Sequence, residues 1–101
     1  MELDRDLASV QEVRDLVRQA RRAQEALASM DQREVDRLVE AMARAAEQDA
    51  APLAKMAVSE TGFGVEKDKI TKNLFAASRV YASIKDAKTI GVINEIPEKR
   101  I

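Results

Sequence analysis

The stretch "ETGFGVEKDKITKN", residues 60–73, holds two of the chain's three glycines. If Gly62-Phe63-Gly64 cradles a phosphate, the chain carries a nucleotide site. If it joins two helices, the chain is a helical scaffold. A dinucleotide loop requires a strand before it, a third glycine and an opening helix after it. Here the residues before Gly62 have a helical pattern and the third glycine is missing. Gly62 is therefore read as the C-terminal stop of a helix, where positive φ is needed and glycine alone adopts it without steric cost. Glu66 and Asp68 then open the next helix, their carboxylates suited to the positive end of its dipole.

Upstream of the glycines, Leu53, Met56 and Ala57 supply the inner face of a short third helix. Asp49 is its expected cap, and Pro52 falls in its first turn, where a missing amide does no harm. A second helix precedes it: Asp31 can cap, Glu34 can reach back, and Met30 and Val35 occupy the two positions of a hydrophobic staple. Its predicted buried stripe is Val35, Leu38, Val39, Met42 and Ala46, and it ends near Gln48. The first helix is predicted over 10–28, with Ser9 and Glu12 as a capping box and Val10, Val13, Leu16, Val17, Ala20, Ala23 and Leu27 on one side.

Downstream of Gly64, Ile70, Leu74, Ala77, Tyr81 and Ile84 alternate at spacings of four and three, which predicts a fourth helix running to about Lys85. The period changes at Thr89-Ile90-Gly91-Val92-Ile93, a β-prone run, and Pro97 beyond it argues for an edge or a turn. A lone strand is not stable, so this run requires a sheet that the rest of the sequence does not contain. The expected fold class is mainly α, about four helices followed by the start of β-structure. The expected organisation is a flexible N-terminus at 1–8, a helical segment at 9–88 and a β-prone tail with an incomplete sheet at 89–101. β-structure begins just as the chain stops, which suggests a fragment or a module that docks onto something else.

Composition narrows the chemistry. The 17 basic and 18 acidic residues nearly cancel and are interspersed, so no basic face marks a nucleic-acid partner. With neither cysteine nor histidine, the chain has no thiolate nucleophile, disulfide, imidazole base or ordinary zinc site. No window approaches the roughly 18 apolar residues of a membrane span, and the acidic N-terminus lacks the apolar stretch of a signal peptide. A cytoplasmic location without membrane contact is expected. Only 3% of the residues are aromatic, so the core has few large side chains to fill it.

The remaining candidates for chemistry read as structural. Glu66, Lys67, Asp68 and Lys69 form a solvated first helical turn, since acid or base work would require burial and a perturbed pKa. Lys72 and Asn73 lie beside the apolar seam that begins at Ile70, within reach of an interface. Met30, Met42 and Met56 at inner helical positions are expected to fill the core. No catalytic, cofactor-binding or metal-ligating residue is assigned.

The run "AKMAVSETGFGVEKDKITKNLFAASRVYASIKDAKTIGVI", residues 54–93, resembles the N-terminal region of CoA-acylating aldehyde dehydrogenases. "RRAQEALASMDQREVDRLVEAMARAA", residues 21–46, is similar to the two helices that precede it there. The tail "GVINEIPEKRI", residues 91–101, is more like the branch acting on succinate semialdehyde or sulfoacetaldehyde than the bifunctional acetaldehyde/alcohol enzymes. The resemblance implies a parent α/β fold with a Rossmann-type cofactor domain, a homo-oligomer, and oxidation of an aldehyde to an acyl-CoA with NAD(P)+. It implies a cysteine nucleophile and a nicotinamide-binding segment, neither of which this chain has. The chain is expected to be the N-terminal fragment of such an enzyme, inactive alone, with the remainder of the dehydrogenase or a homologous subunit as its partner. The alternative is a non-enzymatic helical module that docks on a dehydrogenase subunit or a microcompartment shell through its first amphipathic helix. A nucleotide-binding protein using Gly62 to Gly64 is the third reading.

Overall fold

The computed structural model describes residues 4–101, which divide into two compact units meeting at Asp31 and Gln32. The first unit is essentially one helix, α1, Arg5–Leu27. It begins ahead of the predicted start: residues 5–8, expected to be flexible, are helical, and residues 1–3 of that expected stretch lie outside the described residues. Ser9 does not cap it. Its hydroxyl donates instead to the Arg5 carbonyl at 3.0 Å, the back-bond that a serine makes inside a helix. Asp15 accepts from Gln11 at 3.0 Å and from Arg18 at 2.6 Å on the exposed polar side. The turn after α1 closes with Met30 N–H donating to the Leu27 carbonyl at 3.0 Å.

The second unit holds α2, Gln32–Gln48, and α3, Ala50–Thr61, separated by Asp49 alone. It also holds α4, Glu66–Leu74, which passes through a π-helical stretch, Phe75–Val80, into α5, Tyr81–Ile84, without a break. The predicted ends of α2 and of the last rod fall where expected, and α2 opens directly after Asp31. Asp49 sits at the expected cap position of α3, although its side chain makes no capping bond. Pro52 lies in the first turn of α3.

Small residues set the packing. Among the described residues the buried apolar ones are Ala50 (2% exposed), Ala54 (1%) and Ala77, all alanines, which let α3, α4 and the π stretch approach closely. Two side-chain hydrogen bonds among the described residues join the elements around this core. Asn73 Nδ2 donates to the Ala50 carbonyl at 3.1 Å, joining α4 to the start of α3. Ser78 Oγ donates to Glu47 Oε1 at 2.8 Å, joining the π stretch to α2.

The larger apolar side chains do not follow the alanines inside. Of the stripe predicted as buried on α2, Val35 is half-buried, whereas Leu38 and Val39 are exposed and Met42 is 70% exposed. Met56, also expected in the core, is 53% exposed, while Met30 is half-buried. Helical spacing identifies which side chains share a face, but burial needs a second layer over that face. Around Met42 and Met56 the unit has no such layer among the described residues.

No strand forms among the described residues. The β-prone run at 89–93 stays irregular because no ladder partner is available to it. Pro97 starts a 3-10 turn, Pro97–Lys99, followed by Arg100 at φ 54°. Ile96 and Ile101 exchange two backbone bonds across this turn, at 2.7 and 3.3 Å.

Candidate functional site

Glycines 62 and 64 make a joint. Gly62 takes φ 69° as the C-terminal cap of α3, its N–H donating to the Val58 carbonyl at 2.8 Å. Thr61 reinforces the stop: its hydroxyl donates to the Ala57 carbonyl at 2.7 Å and accepts from Phe63 N–H at 3.1 Å. Gly64, at φ 83°, leaves room for the Lys69 side chain, whose Cε would lie 2.7 Å from an added Cβ. A helix and not a strand precedes the glycines, so the arrangement is a helix-to-helix turn. Glu66, Lys67 and Asp68 are exposed in the first turn of α4, Lys72 is exposed in its last turn, and Lys69 is half-buried.

An apolar concavity lies elsewhere in the second unit. It is an open groove of about 570 Å³ between α2, α3 and the rod formed by α4, the π stretch and α5. Val39 and Met42 line it from α2, Leu53 from α3, and Val80 and Ile84 from the rod. Alanines 43, 46, 57, 76 and 77 form much of the remaining wall. Asn73 and Tyr81 are its polar members, and the Asn73 amide already donates to Ala50. Apolar side chains in a groove with no charged lining suit another apolar surface.

Neither of the implied cofactors fits this groove. The pyrophosphate of NAD(P) and the phosphates of CoA call for cationic groups or free helix N-terminal amides, and no lysine or arginine lines it. No group of three or more potential metal ligands gathers among the described residues.

A second feature sits at the start of α2, and sequence reasoning missed it. The Gln32 side chain accepts from Thr89 N–H at 2.9 Å and from Ile90 N–H at 3.0 Å through Oε1. Its Nε2 donates to Thr89 Oγ1 at 3.0 Å and to Asp36 Oδ1 at 2.8 Å. A glutamine followed by a helix carries no signal of a partner 57 residues away.

No profile of a known protein family matches the chain. Individual proteins do. The bifunctional aldehyde-alcohol dehydrogenase AdhE of Escherichia coli strain K12 is 44% identical over 89 residues, which is 88% of this chain and 10% of that protein. The succinate-semialdehyde dehydrogenase (acetylating) of Clostridium kluyveri is 37% identical over 89 residues, 88% of this chain and 20% of its own length. The crystal structure of an acetylating aldehyde dehydrogenase from Geobacillus thermoglucosidasius superposes with a TM-score of 0.83 and 54% identity, covering 96% of this chain and 22% of that one. This chain thus spans about a tenth to a fifth of the length of these relatives. In sequence and in fold it is a homologue of the N-terminal segment of acetylating aldehyde dehydrogenases.

Proposed function

We propose that this chain works as the N-terminal helical segment of an NAD(P)-dependent, CoA-acylating aldehyde dehydrogenase, an enzyme that converts aldehyde, CoA and NAD(P)+ to acyl-CoA and NAD(P)H. The observation that carries this is the superposition of 96% of the chain, at 54% identity, on a fifth of an acetylating aldehyde dehydrogenase. Residues 9–88 are then the helical part of the cofactor domain, and 89–101 lead toward its sheet. The open groove supports the same reading, because its exposed valine, leucine, isoleucine and methionine side chains fit the interior of a larger protein. The segment contributes packing and no catalytic group, in keeping with the absence of cysteine from its sequence.

The aldehyde is proposed from the tail's likeness to be succinate semialdehyde or sulfoacetaldehyde, although identity is higher to AdhE than to the succinate-semialdehyde enzyme. A cytoplasmic setting accompanies this reading, and no helix of the described residues is long and apolar enough to cross a membrane.

The test joins the chain to the body of the Geobacillus enzyme, meaning that enzyme without its aligned segment. The two are co-expressed separately or fused in the native order. The reading expects CoA-dependent NAD(P)H formation with a panel of small aldehydes to return in the combination and to be absent from the 101-residue chain alone. Turnover by the isolated chain, or no recovery in either arrangement, overturns it.

A second reading keeps the chain as a docking module for a homologous subunit. It is favoured by α1, whose Leu7, Val10, Val13, Leu16 and Val17 are all about half exposed. Co-purification with an intact homologous dehydrogenase, abolished by Leu16→Asp, is the outcome it expects. Failure to co-purify removes it.

A further inference from the structure

One face of α2 carries its charges in an order that an isolated helix does not favour. Arg33, Asp36, Arg37 and Glu40 fall within one stripe, since steps of three, four and seven residues return to the same side of a helix. Arg33, Asp36 and Arg37 are exposed, and Glu40 is half-buried. A solvated face is stabilised by opposite charges four residues apart, as in the Glu40–Arg44 ion pair. Arg33 and Arg37 stand four apart with the same sign, and so do Asp36 and Glu40. Such like-charged rows repel and destabilise the helix that carries them.

Bonds within the chain leave the two arginines uncompensated. Asp36 accepts from Gln32 through Oδ1, and Glu40 holds Arg44 through Oε1, so each acid has a second carboxylate oxygen to offer. Arg33 and Arg37 make no ion pair among the described residues. Lys85 and Asp86, which line the same open cleft from beyond α5, cancel each other. The order Arg-Asp-Arg-Glu inverts in sign about its own midpoint, between Asp36 and Arg37. Two copies of α2 laid antiparallel about a two-fold axis at that point bring Arg33 of one copy opposite Glu40 of the other. The same axis brings Asp36 opposite Arg37. Each contact occurs twice, so four opposite-charge pairs form across the rows that repel within each copy. A foreign partner has no reason to match this inversion, whereas a second copy matches it by symmetry.

We propose that α2 is a self-recognition face: two copies of this chain associate antiparallel through Arg33, Asp36, Arg37 and Glu40. The contact uses neither the apolar groove nor α1, and it does not depend on the chain's restoring a dehydrogenase body. Exposed ion pairs contribute little singly, so the association is weak, reversible and sensitive to salt.

Sedimentation equilibrium of the 101-residue chain tests this. Dimer should form at high protein concentration, and raising salt from about 0.05 to about 0.5 M should weaken it by screening. Arg33→Glu alone and Glu40→Arg alone should each weaken self-association about tenfold, because two facing pairs turn repulsive. An equimolar mixture of these two variants should dimerise as the parent does, since each altered residue then meets an opposite charge. Mixing Arg33→Glu with Asp36→Arg should recover nothing, because residue 33 faces residue 40 and not residue 36. Far-ultraviolet circular dichroism checks that each variant keeps its helices. Were one to unfold, Arg37→Glu mixed with Asp36→Arg supplies a second complementary pair. A parent chain that stays monomeric, single variants that associate as the parent does, a matched mixture that recovers nothing, or a mismatched mixture that recovers equally overturns the proposal. Recovery or loss of activity in the dehydrogenase fusion bears on the proposed function alone.

Discussion

The side-chain carbonyl of Gln32 accepts the backbone N–H groups of both Thr89 and Ile90, at 2.9 and 3.0 Å, across 57 and 58 residues of chain. One side chain at the first position of α2 thereby sets where the tail leaves the helical unit. Gln32→Ala removes both acceptor interactions and the donation to Thr89 Oγ1. We expect a loss of about 1–2 kcal/mol, since hydrogen bonds of this kind contribute roughly 0.5–1.5 kcal/mol each and these are only partly shielded. Urea titration measures the loss, and hydrogen exchange should show Thr89 and Ile90 deprotected while α3 is unchanged. Unaltered exchange at those two amides would mean that the clasp does not hold the tail.

The glycine joint makes a separable prediction. Gly62→Ala places a Cβ at φ 69° with open space around it, so only backbone strain is added, about 1–2 kcal/mol. Gly64→Ala adds similar strain at φ 83° and also meets the Lys69 side chain. The double variant Gly64→Ala/Lys69→Ala should recover the contact part of the loss and none of the strain, a coupling that a double-mutant cycle in urea denaturation resolves.

Ala54 tests the close approach of the helices. It is 1% exposed, and a leucine there has no space to enter. Ala54→Leu should cost about 1–3 kcal/mol, the usual range for overpacking. A midpoint equal to that of the parent chain in a denaturant titration would show that the helices part without penalty.

Met42 gives the opposite profile. Its side chain is 70% exposed at the rim of the groove, so Met42→Lys should change the stability of the isolated chain by no more than about 0.5 kcal/mol. The same substitution should prevent recovery of activity with the dehydrogenase body, because a lysine would be carried into an apolar contact. Full recovery with Met42→Lys would place the contact away from this groove.

Much of the architecture is local and could be read in order along the chain. The positive φ at Gly62, the position of Asp31 just before α2 and the alternating spacing from Ile70 to Ile84 each depend on near neighbours. The open groove was not legible, because periodicity reports which residues share a face and says nothing of whether that face is covered. Met42 and Met56 fit the inner pattern and lie exposed for this reason. Asn73 could be placed beside the apolar seam, yet its bond to the Ala50 carbonyl depends on how α3 and α4 meet.

Local chemistry thus determined the helices, their stops and the β-prone character of the tail, since capping, dihedral preference and residue spacing act over a few positions. Tertiary structure alone decided that three alanines form the buried core among the described residues, that Ser78 in the π stretch bonds Glu47, and that Gln32 grips Thr89 and Ile90. The physical reason is distance along the chain: each of these depends on groups brought together from far apart in sequence, where no local pattern records the meeting.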